Sequence, residues 1–192
     1  MSQVKSICVY CASSKEVHQE FLEMACDLGR RMARQGIDLV YGGASIGLMG
    51  AVARGVHQEG GRVVGVLPRF FMVDGIRYDE ADELIVTEDM RDRKAEMDRR
   101  SDAFIVLPGG IGTLEEAMEI LSMKQLKLTS KPLVFINTRK FYDGLIGNLR
   151  EMVELQFAKS ESLDLFTVEP DPESALKYIL EYKPVEVHSK WL

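Results

Sequence analysis

The chain has 192 residues, enough for one sizeable core and short for two, so a single domain is expected. Its 46% hydrophobic and 28% charged residues exclude disordered and fibrous classes, and a net charge of −6 argues against a nucleic-acid surface, which carries a basic stripe. No run of about 18 apolar residues and no apolar N-terminal core are present, so neither a membrane partner nor a signal peptide is expected and the cytoplasm is the predicted location.

Strand and helix patterns alternate along the chain, which predicts an α/β fold: a doubly wound, Rossmann-like parallel sheet with helices on both faces. Val4 to Tyr10 is the first predicted strand. Cys8 and Cys11 stand at C-x-x-C spacing there, but an odd separation on a strand sends them to opposite faces, so buried free thiols are expected rather than a metal or redox pair. Ser13 or Ser14 is the predicted cap of a helix reaching about Gln35, with Phe21, Leu22, Ala25, Leu28 and Met32 at helical spacing. Ile37 to Tyr41 is the second strand, followed by a glycine turn and a helix holding Leu48, Ala51, Val52 and Val56. Arg62 to Leu67 is the third strand, Pro68 to Asp79 a mobile loop, and Glu83 to Thr87 a fourth strand.

A helix from about Asp89 to Arg100 precedes the apolar run Ala103 to Leu107, which reads as a strand buried on both faces. The helix after Thr113 is apolar nearly all round, through Leu114, Ala117, Met118, Ile120, Leu121, Met123 and Leu126. Such a helix is buried on two sides, here the sheet and a second subunit, so a homodimer using it is predicted. Pro132 to Asn137 is another strand, and Phe141 to Phe157 and Pro172 to Tyr182 are the last helices. Residues 1–182 form the predicted domain, and 183–192 a C-terminal tail.

The chemistry concentrates at Leu107-Pro108-Gly109-Gly110-Ile111-Gly112-Thr113-Leu114-Glu115-Glu116. Glycines let the backbone approach a ligand, and the helix that follows opens with N–H groups lacking intrahelical partners, which suits a phosphate. Read alone, the turn is as readily a mere tight connection. Glu116 shares a helix side with Ile120 and Met123, whereas Glu115 suits an ordinary first-turn position in water. Arg93 shares a face with Met90, Lys94 and Met97. It either lays its stem over apolar surface and reaches solvent or, held inward, pairs with Glu116 or a ligand phosphate.

Gly42 and Gly43 make a second glycine turn after a strand, and with Ser13 and Ser14 they reach the carboxyl ends of strands, where ligands bind in such sheets. The first strand ends without G-x-G-x-x-G, which speaks against dinucleotide chemistry. His18, His57 and His188 have no ligand spacing, so no metal is assigned, and Glu186 with His188 reads as solvated tail.

Pro108-Gly109-Gly110-x-Gly112-Thr113-x-x-Glu116, with Arg93-Lys94 upstream, resembles the LOG ("lonely guy") proteins, the cytokinin riboside 5′-monophosphate phosphoribohydrolases. The resemblance continues in Cys11-Ala12-Ser13-Ser14, in Tyr41 to Gly50 and in Val64 to Pro68, and spans about residues 4–158. Departures are Arg91 where that family often has His, Ala12 for a glycine, and a different loop at Met72 to Tyr78.

The resemblance implies cleavage of the N-glycosidic bond of an adenosine 5′-monophosphate, often N6-modified, without a cofactor. Glu116 and Arg93 would be catalytic. Gly109, Gly110, Gly112 and Thr113 would hold the 5′-phosphate, with Lys94, Ser13, Ser14, Gly42 and Gly43 completing the substrate site. The alternative is a non-catalytic nucleotide or cofactor carrier of the same fold, which needs the phosphate cradle but no carboxylate beside it. A third reading, an amino-acid decarboxylase, finds no lysine in a recognisable pyridoxal phosphate context.

Overall fold

Short apolar runs rich in Val, Ile and Leu offset the entropy of ordering only when buried on both faces, and they do so in one parallel sheet. The computed structural model describes residues 4–72 and 75–184. Its strands are β1 (Ser6–Tyr10), β2 (Asp38–Tyr41), β3 (Val63–Pro68), β4 (Glu83–Thr87), β5 (Ala103–Val106), β6 (Leu133–Ile136) and β7 (Thr167–Glu169). They lie in the order β4-β3-β2-β1-β5-β6-β7, and every pairing is parallel.

Helices α1 (Gln19–Arg34), α2 (Gly47–Gln58) and α6 (Pro172–Glu181) cover one face, and α3 (Met90–Arg99) and α4 (Ile111–Gln125) the other. Alternation along β1 shows the division: Ile7 and Val9 pack with Leu28, Val52 and Leu176, while Cys8 and Tyr10 pack with Met97 and Ile120. Each fully buried aliphatic chain contributes about 1.5–3 kcal/mol, so these strands are held by burial rather than by local propensity. Cys8 and Cys11 are buried free thiols in the opposite clusters, and desolvation pushes both well above the usual thiol range, where they are chemically quiet.

Several expectations are corrected. Neither Ser13 nor Ser14 caps α1, which begins after His18 with no side-chain cap. The intervening residues turn back over the sheet: Ser14 Oγ accepts from the Glu16 N–H (3.2 Å), and the Ala12 carbonyl accepts from the Leu48 and Met49 N–H groups (2.9 and 3.3 Å), fixing α2 onto this loop. The segment predicted as a mobile loop holds a short 3₁₀ turn at Arg69–Phe71 and is fastened at its far end. There the Ile76 carbonyl accepts from Ser45 N–H (2.7 Å), and the Tyr78 N–H donates to the Gly43 carbonyl (2.9 Å). β7 has no counterpart among the predicted strands, because a three-residue edge strand offers almost no alternation to read. The helix α5 spans Asp143–Glu154, shorter than the predicted 141–157. Glu186, His188 and Trp191 lie outside the described residues.

Candidate active site

Strand order reverses between β1 and β5, and in open parallel sheets ligands bind at the carboxyl ends of the strands beside such a reversal. Backbone bonds hold the two strand ends together: Leu107 N–H donates to the Tyr10 carbonyl (2.9 Å) and Ala12 N–H to that of Pro108 (3.3 Å). A pocket of ≈ 460 Å³ opens there. Its lining combines a polar group, Ser13, Ser14, Gly110, Gly112 and Thr113, with an apolar one, Ala44, Ile46, Met49, Leu67, Phe71, Ile76 and Met90.

Within the polar group lies a helix start left open. Gly110 is the N-cap of α4 and offers no capping side chain, and beside Gly110 and Gly112 a Cβ would meet nothing within 4 Å. First-turn N–H groups with such clearance bind an anion, and the positive end of the helix dipole adds to the attraction. Gly109 serves differently. A Cβ there would come within 2.2 Å of Thr113 Oγ1, so its hydrogen side chain lets Thr113 fold against the turn.

Arg93 and Glu116 meet at the floor. Asp89 caps α3 by accepting from the Arg91 and Asp92 N–H groups (2.7 and 2.9 Å), which sets the helix phase that turns Arg93 inward. Arg93 is 5% exposed, so the solvent-reaching alternative is excluded. Its Nε donates to the Val66 carbonyl of β3 (3.0 Å), and a terminal nitrogen donates to Glu116 Oε1 (2.6 Å). Glu116 is also 5% exposed and faces the pocket. Burial pushes its carboxyl up, the Arg93 charge and hydrogen bond pull it down, and the balance leaves it above the ordinary glutamate value of 4.5. Glu115 adds to the upward push and Lys94 opposes it.

The remaining predicted residues divide. Ser13, Ser14 and Gly42 reach the pocket. Lys94 stands apart from its walls and pairs instead with Glu115 and with Glu119 (2.8 Å), tying α3 to α4. Gly43 has a positive φ of 75°, and a Cβ on it would press on Leu67. Sequence reasoning missed the apolar wall, which is drawn from four separate stretches of chain; the local signals were Met90 on the Arg93 face and the aromatic Phe71 after β3. Among the described residues no three His, Cys, Asp or Glu side chains gather to hold a metal ion.

A family model described as "Possible lysine decarboxylase" matches residues 49–179. Cytokinin riboside 5′-monophosphate phosphoribohydrolase LOG5 of Arabidopsis thaliana is 38% identical over 194 aligned positions, covering 99% of this chain and 85% of that protein. LOG4 of the same plant is 39% identical, covering 95% and 85%. Among solved structures, the molybdenum cofactor carrier protein of Chlamydomonas reinhardtii superposes with a TM-score of 0.68 at 27% identity, over 92% of this chain and 98% of that one. The molybdenum cofactor binding protein of Rippkaea orientalis, at 24% identity and a TM-score of 0.69 over 91% and 94%, shares the fold. A model match over more than half of the chain, with relatives 38–39% identical along nearly all of it, means that the chain belongs to the LOG family.

Proposed function

We propose that the protein hydrolyses the N-glycosidic bond of adenosine 5′-monophosphates, N6-modified ones included, to free base and ribose 5-phosphate. One observation carries this reading: a buried carboxylate, Glu116, is held by Arg93 just beyond the first-turn donors of an uncapped helix. With the 5′-phosphate on Gly110, Gly112 and Thr113, helped by Ser13 and Ser14, the ribose lies over Glu116 and the base runs toward the apolar wall.

As the bond from C1 of the ribose to the base lengthens, its electron pair leaves with the base and C1 becomes oxocarbenium-like. The Glu116 carboxylate stabilises that charge and accepts a proton from the attacking water, whose oxygen bonds to C1 while a proton ends on the base. Phosphate binding contributes to rate by fixing C1 relative to Glu116. The apolar wall favours an apolar N6 substituent over the bare amine of AMP. Among the described residues no lysine lines the pocket, which supports hydrolysis over the decarboxylase description.

The test is to incubate the protein with AMP and with isopentenyladenosine 5′-monophosphate and follow free base by chromatography. Base release from both, faster from the isopentenyl nucleotide, is expected. Tight binding of both nucleotides without release would favour the carrier reading that the Chlamydomonas reinhardtii likeness suggests.

The working unit is a homodimer. On α4 the side chains of Leu114, Met118 and Leu121 are only half-buried, Leu126 and Leu128 beyond it are exposed, and α5 buries none of its residues while exposing Met152. Exposed apolar surface of this extent is characteristic of an interface. Sedimentation equilibrium is expected to give twice the chain mass of 21.6 kDa, and Leu121→Asp with Met118→Asp to give the single mass. The buried free thiols fit a cytoplasmic location.

A further inference from the structure

Gly42 follows β2 and touches the pocket, yet its most restrictive neighbour is not a ligand but Arg93. A Cβ at this position would lie 2.2 Å from the second terminal nitrogen of Arg93, and 3.1 and 3.3 Å from Cε and Sδ of Met49. The Met49 thioether is flexible and can move a few tenths of an ångström. The guanidinium cannot, because it is buried with its Nε bonded to the Val66 carbonyl and its other terminal nitrogen to the equally buried Glu116. A planar fork pinned at two of its nitrogens has no rotation that clears the third and keeps both bonds. Gly42 is absent from the glycines of positive φ, so backbone conformation does not demand glycine here; clearance does.

We infer that Gly42 is a positioning residue for the reaction, its missing side chain being the space that lets the Arg93 guanidinium lie flat and hold the Glu116 carboxylate. This rests on the hydrolase reading for its kinetic consequences but not for its geometry. Where the sequence places Gly42 among substrate-binding glycines, the contact distances assign it to the arginine. A methyl group there displaces the fork, and Glu116 then loses its countercharge while the phosphate cradle across the pocket is untouched.

The experiment is a cycle of Gly42→Ala, Arg93→Met and the double variant, read by activity and by thermal unfolding. Gly42→Ala is expected to lower kcat about 30-fold with KM within about threefold, and to move the acid limb of the kcat profile up by about one pH unit as Glu116 loses its partner. In the Arg93→Met background, where the fork is gone, the same change is expected to alter kcat by less than about twofold. Thermal midpoints are expected to follow: a fall of about 4 °C on Gly42→Ala in the wild type and none in the Arg93→Met background. If Arg93→Met does not fold, Arg93→Met with Glu116→Gln supplies a neutral background for the thermal half of the cycle.

Independent, multiplying effects in the two backgrounds would overturn the inference, as would a raised KM with kcat intact, which would mean that Gly42 touches the nucleotide. Should the wild type release no base, the hydrolase reading fails, and the thermal cycle still decides the role of Gly42.

Discussion

Glutamine in place of Glu116 is expected to lower kcat for base release about 10³-fold while leaving nucleotide affinity within about threefold. Glutamine keeps the side-chain volume and an oxygen able to accept from Arg93, so the floor of the pocket stays packed. On the proposed reaction, what disappears is the negative charge facing C1 and the capacity to take a proton from water. At a carboxylate as buried as this one, such a charge stabilises a developing cation far more than it would in water. Affinity is spared because the donors assigned to the phosphate, at Gly110, Gly112 and Thr113, are unaltered.

The pH profile separates this role from a structural one. Burial holds the Glu116 carboxyl above 4.5 in spite of Arg93, so wild-type kcat/KM should fall on the acid side with an apparent pKa above that of an ordinary glutamate. The Glu116→Gln variant should lack that limb altogether. Steady-state rates across pH, with nucleotide affinity measured by calorimetry, decide the matter. A variant that keeps a tenth or more of wild-type kcat would assign the chemistry to another group.

Much of this site is legible in the chain alone. The strands read well because β3, β5 and β6 are runs without a polar side chain and β1 is buried from Ile7 onward, so burial on two faces leaves little alternation to confuse them. The inward face of α3 is visible in the spacing of Arg93 and Met97, both buried, while Met90 one turn earlier lines the pocket and stays exposed. That Arg93 meets Glu116 is not, since 23 positions and a strand separate them and periodicity carries no information about which inward groups touch.

The glycines illustrate the same limit. Their identity is plain in the chain, but Gly109 clears Thr113, Gly42 clears Arg93, and Gly110 and Gly112 clear open space, distinctions that exist only between segments brought together by the sheet. Lys94 likewise belongs by sequence to the Arg93 face, yet two carboxylates of α4 draw it to the helix interface. The start of α1 fails for a local reason: two serines offer a cap, and the demands of the turn over β1 move the helix start to His18.

Replacing Arg93 with methionine is expected to cost about 3–5 kcal/mol of stability near pH 7, because it leaves Glu116 buried without the cation bonded to it, Lys94 acting only from a distance, and the Val66 carbonyl without its donor. The sign of the pH dependence follows from the direction in which Glu116 is shifted. Its carboxyl is already above 4.5 in the folded protein, and losing Arg93, which pulls it down, raises it further. A carboxyl raised by folding favours the folded state when protonated, and that contribution is lost as pH rises through the folded value.

The penalty of Arg93→Met relative to wild type should therefore be complete above the raised value and shrink as pH falls toward 4.5, leaving only the smaller cost of the Val66 carbonyl. Urea unfolding near pH 7 and near pH 4 measures both ends. The double variant Arg93→Met, Glu116→Gln is expected to recover most of the loss at neutral pH, since a neutral buried pair carries no uncompensated charge. An equal loss at both pH values, unrelieved by the second substitution, would mean that Arg93 stabilises the fold through packing of its stem and not through the carboxylate it holds.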